Sequence, residues 1–500
     1  MGCHNGLVAP SGEDVSIGSA WRASMMANAA RDPYWHAAVR REITDHPESQ
    51  AAIEDECSKC HMPMARYESN LQGREQSVFD HLPIGRSDDL TDRLAADGVS
   101  CSLCHQITEE GFGTPESFVG GFRIDASGAE AEPAIYGPLE VNEGWLSVMR
   151  SATGFRQTQS EHVQRSELCA TCHTLITHAL GPDGQVIGEL AEQVPYQEWF
   201  HSRYREEKSC QDCHMPVLPE ATRVTSVLGE PREGFSRHDF RGSNFFMIRM
   251  LNRYRSELGV EAPGQELELG ARMAQEHLQN ESARISIERA EVLGGRLEVD
   301  VTVENLAGHK LPTAYPSRRV WLEMTVMDQE GFEVFSSGSL TPSGLIVGND
   351  NDADPALYEA HYQNITSEDQ VQIYETIMVD RSNELTTGLL HGLRYVKDNR
   401  ILPDGFDKAT AEEEIAVHGA AATDLDFVGG SDRIRYSVEV EAAEGPFMVQ
   451  VVLWYQSIGY RWADNLRAYD ANEIRRFVSY YDAMAASSGI TLGSSSRVAQ

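Results

Sequence analysis

Five hundred residues with 77 acidic against 42 basic side chains carry a formal net charge of −35. Nucleic acid and anionic lipid repel such a chain, so neither is an expected partner, and no segment approaches the roughly 20 apolar residues that span a bilayer. Apolar residues make up 41% of the chain, enough for ordinary folded cores in two domains.

The first expected domain, residues 1–278, reads as helical or irregular. Trp21 to Ile43 has apolar residues at helical intervals with a break at Pro33. Gly111 to Glu143 has little regular pattern. Phe245 to Leu258 predicts a helix, with Phe245, Ile248 and Leu251 at three-residue steps and Phe246 and Met250 widening the face.

The second expected domain, residues 279–500, changes period near residue 283. Arg296 to Glu304 alternates strictly, with Leu297, Val299, Val301 and Val303 on one face. Val320 to Met327 and Phe332 to Phe335 predict paired strands across Asp328–Gly331. Ile434 to Val440 and Phe447 to Tyr455 predict two more, the latter buried. Asn472 to Met484 has helical spacing, and the small, polar tail after Ser487 is expected to fray. The fold class expected is α+β, a helical or irregular domain followed by a β-sandwich-like domain and a C-terminal helix.

Eight of the nine cysteines fall into four copies of C-x-x-C-H. They are Cys57/Cys60/His61, Cys101/Cys104/His105, Cys169/Cys172/His173 and Cys210/Cys213/His214. The pattern is the attachment signal for c-type haem, in which two sulfurs add to the porphyrin and the histidine sits beneath the iron. Disulfides or zinc ribbons would use the sulfurs but leave four histidines unexplained. The first and fourth copies are each followed by Met-Pro, a short hint of similar local shape.

The chain opens Met1-Gly2-Cys3-His4. Cys3-His4 fits the second half of the same motif, so the expectation is that the sequence begins inside a fifth copy. A lipoprotein-type ending and a free surface cysteine are the alternatives. Haem attachment of this kind takes place outside the bacterial cytoplasm, which points to the periplasm or beyond.

With these motifs the chain resembles the multihaem cytochromes c, a group that includes respiratory electron carriers and hydroxylamine- or nitrite-converting enzymes. The segment from Asn305 through His309 to Trp321-Leu322 resembles the junction where a β-domain meets a haem in some of them, and the resemblance implies His309 as an axial ligand. Gln372–Glu375 and Tyr395–Pro403 also resemble parts of such domains, without an implied role.

The proximal ligands expected are His61, His105, His173 and His214, with His4 as the fifth. The distal candidates are His81, His162, His238 and His309; His178 and His361 rank second, and Met25 and Met26 are more often core. The leading function is electron transfer between redox partners, another redox protein or a quinone-linked donor, through four complete sites and a partial fifth. The alternative is an oxidoreductase acting on a small nitrogen or sulfur compound at one open haem. All four complete motifs end in histidine rather than the lysine of some nitrite reductases, which favours the carrier. A calcium site is a further candidate at Asn349–Asp354, with hard oxygen ligands at near-alternate positions. The loop lacks the glycine and distal glutamate of an EF-hand, and a solvated acidic turn is the default there.

Overall fold

The computed structural model describes residues 2–125 and 132–500. The chain forms two compact units, one of residues 1–39, 49–175 and 208–273, the other of residues 40–48, 176–207 and 274–500. The class is α+β: the longer strands lie in the second unit, and short strands lie among the helices of the first. The main division falls at 273/274, and two excursions of the first half, 40–48 and 176–207, join the second unit.

In the first unit the elements are short. Helix Ile17–Arg22 gives way to a turn, and a new helix, Pro33–Asp45, starts at the proline. Asp32 fixes that start by accepting the amides of Tyr34 (2.8 Å) and Trp35 (3.2 Å), satisfying donors that the first turn leaves free. Of the irregular stretch 111–143, residues 126–131 lie outside those described. Much of the rest is loop, with a short strand, Ala134–Gly137, paired in parallel with Arg156–Gln159. Helix Phe245–Arg253 stops five residues before the predicted end and buries Phe245, Phe246, Met247, Ile248, Met250 and Leu251. The apolar clusters here are small. One joins Leu7, Ala9, Val15, Leu218 and Phe235; another joins Ala23, Ile248, Ala262, Leu267 and Ala271, with Met25 packed on it.

The second unit carries the larger sheets. A four-stranded sheet contains Ala283–Leu293, Arg296–Asn305 and Ser431–Glu439, paired antiparallel, with Asn364–Ile365 added in parallel. Leu297, Val299, Val301 and Val303 are fully buried, so the predicted alternation places one row in the core. Each such side chain contributes about 1.5–3 kcal/mol by leaving water. A five-stranded sheet centres on Arg319–Met327 and Phe447–Gln456. The helix Asn472–Asp482 is close to its predicted span.

The C-terminal tail corrects the sequence expectation. Residues Gly489–Ala499 form a strand paired with Phe447–Gln456 along its whole length. Ser495 Oγ accepts the Ile287 amide at 3.3 Å, and Arg497 donates to the Ile287 and Glu288 carbonyls. Ile490 and Leu492 are the buried row. The serines hid this strand, because their polarity is spent on the exposed face and on cross-sheet bonds. Leu492→Ala should therefore cost about 2–5 kcal/mol, read as a lower melting temperature; a frayed tail would leave the melt unchanged.

Candidate haem-binding site

All four complete motifs sit at short helices of the first unit. Cysteines three apart lie on one helix face, with the histidine one residue further on. Local chemistry starts two of these helices. Ser100 caps Cys101–Cys104 by accepting the Leu103 amide, and Ser209 forms a reciprocal capping box with Asp212 ahead of Cys210–His214. The Met-Pro repeat is a structural one. Met62 and Met215 leave the helix with nearly the same backbone angles (φ −130°, ψ 47° and φ −132°, ψ 60°). The two copies then diverge, since Pro63 opens helix Pro63–Leu71 whereas Val217 bridges Ser236.

No disulfide joins any of the nine cysteines, all of which lie among the described residues. Cys3 is exposed. A thiol–thiol hydrogen bond joins Cys169 and Cys210, and another joins Cys60 and Cys172.

Four of the five motif histidines share one feature. Nδ1 faces a backbone carbonyl in His4 (Val224, 2.9 Å), His61 (Ala29, 3.0 Å) and His105 (Tyr136, 2.7 Å), and in His214 the partner is the Arg241 carbonyl. A carbonyl only accepts, so Nδ1 carries the proton and Nε2 keeps its lone pair, the tautomer that binds a metal through Nε2. Burial also disfavours the charged ring. It lowers the pKa of His61 to about 4 and holds those of His105 and His214 below their ordinary value. His61 further stacks on Trp35, ring centres 4.3 Å apart and nearly parallel.

The distal candidates fare differently. His238 faces His105, with ring centres 6.4 Å apart and planes 19° from parallel. Its Nδ1 is on the Ser236 carbonyl at 3.0 Å, and burial lowers its pKa to about 4. His4 is near enough to act electrostatically on both rings. His81 has Nδ1 on Asp92 (2.6 Å) and Nε2 on the Gln76 amide (2.7 Å). His162 is buried with Nδ1 on Ser160 Oγ (2.7 Å) and Nε2 on the Ile107 carbonyl (2.8 Å). His309 lies in the second unit, its Nδ1 at the Lys310 carbonyl (3.1 Å). Exposed His178 lies 3.4 Å from Glu189. The acceptors that aim the motif rings, and Trp35, escaped the sequence reading. Every residue has a carbonyl, so no pattern marks the one that matters.

Two imidazoles that hold one iron from opposite faces, each nitrogen about 2 Å from the metal, stand roughly 6 Å apart centre to centre. The His105–His238 pair has that spacing and the matching tautomer, so these residues fit a haem iron. The two sulfurs and histidine of each complete motif fit its covalent attachment.

No protein-family model matches the chain, and no curated protein matches its sequence. Among solved structures it is similar to a penta-heme cytochrome c552 from Thermochromatium tepidum, with 13% identity and a TM-score of 0.52, covering 96% of this chain and 95% of that one. The likeness runs through both units and shows a multihaem-cytochrome-like fold.

Two other candidates lie in the second unit. In the acidic loop, Asp352 is buried and gives both oxygens to the Arg319 guanidinium (2.8 and 2.9 Å), while Asn349 caps a short helix. His361, Asp424 and Asp432 form a buried cluster with ligand atoms within 4.8 Å of one another. Its proton positions follow from its neighbours. Gln372 Oε1 accepts the Tyr362 amide and Asn399 Oδ1 accepts the Glu375 amide, so both NH2 groups point at His361 Nδ1 (2.9 and 3.1 Å). Nδ1 is thus an acceptor, and Nε2–H donates to Asp424 (3.0 Å). A metal at Nε2 would have to displace that proton from a ring already accepting at Nδ1, so the cluster is held as a hydrogen-bond network in which Asp432 Oδ1 alone is buried without a partner.

Within it, burial raises the Asp432 pKa to about 7 against an ordinary 3.8, offset in part by the Tyr374 hydroxyl donated at 2.7 Å. A carboxyl raised on folding costs stability as pH rises from its unfolded value to its folded one. The advantage of Asp432→Asn over wild type should therefore grow between pH 4 and pH 8, by at most about 4 kcal/mol. Denaturant unfolding at the two pH values measures it; a pH-independent difference would refute the assignment.

Proposed function

We propose that the first unit holds haem c at its four complete motifs and that the protein carries electrons between redox partners. The observation that carries the reading is the His105–His238 pair, two imidazoles with ring centres 6.4 Å apart and Nδ1 of each on a backbone carbonyl. It is supported by the likeness to a penta-heme cytochrome. Cys57 and Cys60, Cys101 and Cys104, Cys169 and Cys172, and Cys210 and Cys213 would form the thioethers. His61, His105, His173 and His214 would be the proximal ligands, and Cys3 with His4 would belong to a fifth site. When bound, the haem supplies a one-electron Fe(III)/Fe(II) couple.

The chain's own residues set how that couple works. His105 and His238 would together hold the iron of that site, which would leave no place for a substrate there and suits transfer rather than catalysis. Their carbonyl partners fix each ring, so little has to move when the charge on the metal changes. The net charge of −35 favours a basic partner, with association that weakens as salt rises. Maturation of such motifs belongs outside the cytoplasm, so we place the protein in the periplasm or beyond.

Mass analysis of protein matured in a cytochrome-assembling host should show one added haem per complete motif; zinc or disulfides at those cysteines would refute the reading. His238→Ala should convert one low-spin haem to high spin in the electronic and EPR spectra while the haem count stays the same. An unchanged spin state would remove His238 as a ligand.

A further inference from the structure

We infer, on the haem-binding reading above, that the third motif, Cys169–His173, is the junction of the set: the cofactor held there borders those of the other three complete motifs. The inference rests on how the protein itself ties these segments together. Toward the second motif, buried His162 lies seven residues before Cys169 and bonds through Nε2 to the carbonyl of Ile107, two residues past His105. Arg165 pairs with Glu109 on the same stretch (3.2 Å). Toward the fourth motif, Ser166 Oγ accepts the amide of Cys210 itself (3.0 Å), and Gln211 Nε2 donates to the carbonyls of Val163 (3.1 Å) and Arg165 (2.8 Å).

Toward the first motif the link is a glycine. Gly120 donates its amide to the Thr171 carbonyl (2.7 Å), and Val119 donates to Thr174 (3.0 Å). Gly120 has φ +71°, and a Cβ placed on it would sit 2.9 Å from Cβ of Lys59, between Cys57 and Cys60. Only glycine lets the two motifs close on each other there. The motif cysteines are neighbours in the same pattern, Cys172 beside Cys60 and Cys169 beside Cys210. These links also give His162 a role other than axial ligation, as the strut between the second and third motifs.

A charge that changes at the junction is felt by three neighbours, and the coupling is reciprocal. The test is a redox titration of the haem-loaded protein, with the haems resolved by NMR or EPR. In the wild type, the third site should titrate over a wider span than a single one-electron curve, because each neighbour shifts it. His173→Met raises the potential of its own site and should displace the titration curves of the other three complete sites. His214→Met should displace that of the third site and leave the first and second in place. A simple one-electron curve at the third site in the wild type overturns the inference even if the variants fail to mature. So does a His173→Met protein in which the other curves do not move, or a His214→Met protein in which as many move. Absence of haem from the wild type would instead overturn the proposed function.

Discussion

The hydrogen bond from histidine Nδ1 to a backbone carbonyl is the constraint on which the site depends. It settles the tautomer, fixes the ring plane and leaves Nε2 as the donor atom, all before any metal is considered. The acceptors, Val224, Ala29, Tyr136 and Arg241 for motif histidines and Ser236 for His238, lie up to 220 residues from the ring they aim. The fold of the first unit is therefore a device for delivering carbonyls to five rings. Its short helices and modest apolar clusters fit that task better than they fit a conventional core.

The second unit is organised by buried charge on top of its apolar sheets. Lys310, fully buried, pairs with Asp398 (2.7 Å), and Arg400 bridges Asp398 and Glu198 (2.7 and 2.8 Å). Glu198 also accepts the Lys310 amide (3.1 Å) and the Thr313 hydroxyl (2.5 Å). Burial alone would raise the Asp398 pKa, but Arg400 and Lys310 outweigh it and hold the carboxyl well below its usual range. Such a network costs desolvation and returns geometric definition. Here it defines the loop that follows His309. The segments Gln372–Glu375 and Tyr395–Pro403, to which resemblance gave no role, supply this network and the His361 cluster.

Histidines of the same standing in the sequence have different surroundings in the structure. His81 and His162 lie between motifs and His238 follows the fourth. In the structure, His81 and His162 have protein partners at both ring nitrogens, whereas His238 faces the ring of His105. The difference lies in what meets each Nε2: the Gln76 side chain at His81 and the Ile107 carbonyl at His162.

The sequence by itself marked the four C-x-x-C-H segments, because sulfur and imidazole spacing within five residues is a local property. It also determined the main strands of the second unit and the break at Pro33, since alternation and proline geometry act over a few residues. Tertiary structure alone decided which carbonyl aims which ring, which histidine opposes His105, how the third motif meets the other three, and that segments 40–48 and 176–207 belong with the later half. It also turned a serine-rich tail into a strand. Most of these outcomes depend on groups brought together over long separations, many of them backbone amides and carbonyls that every residue carries, so no local pattern marks them.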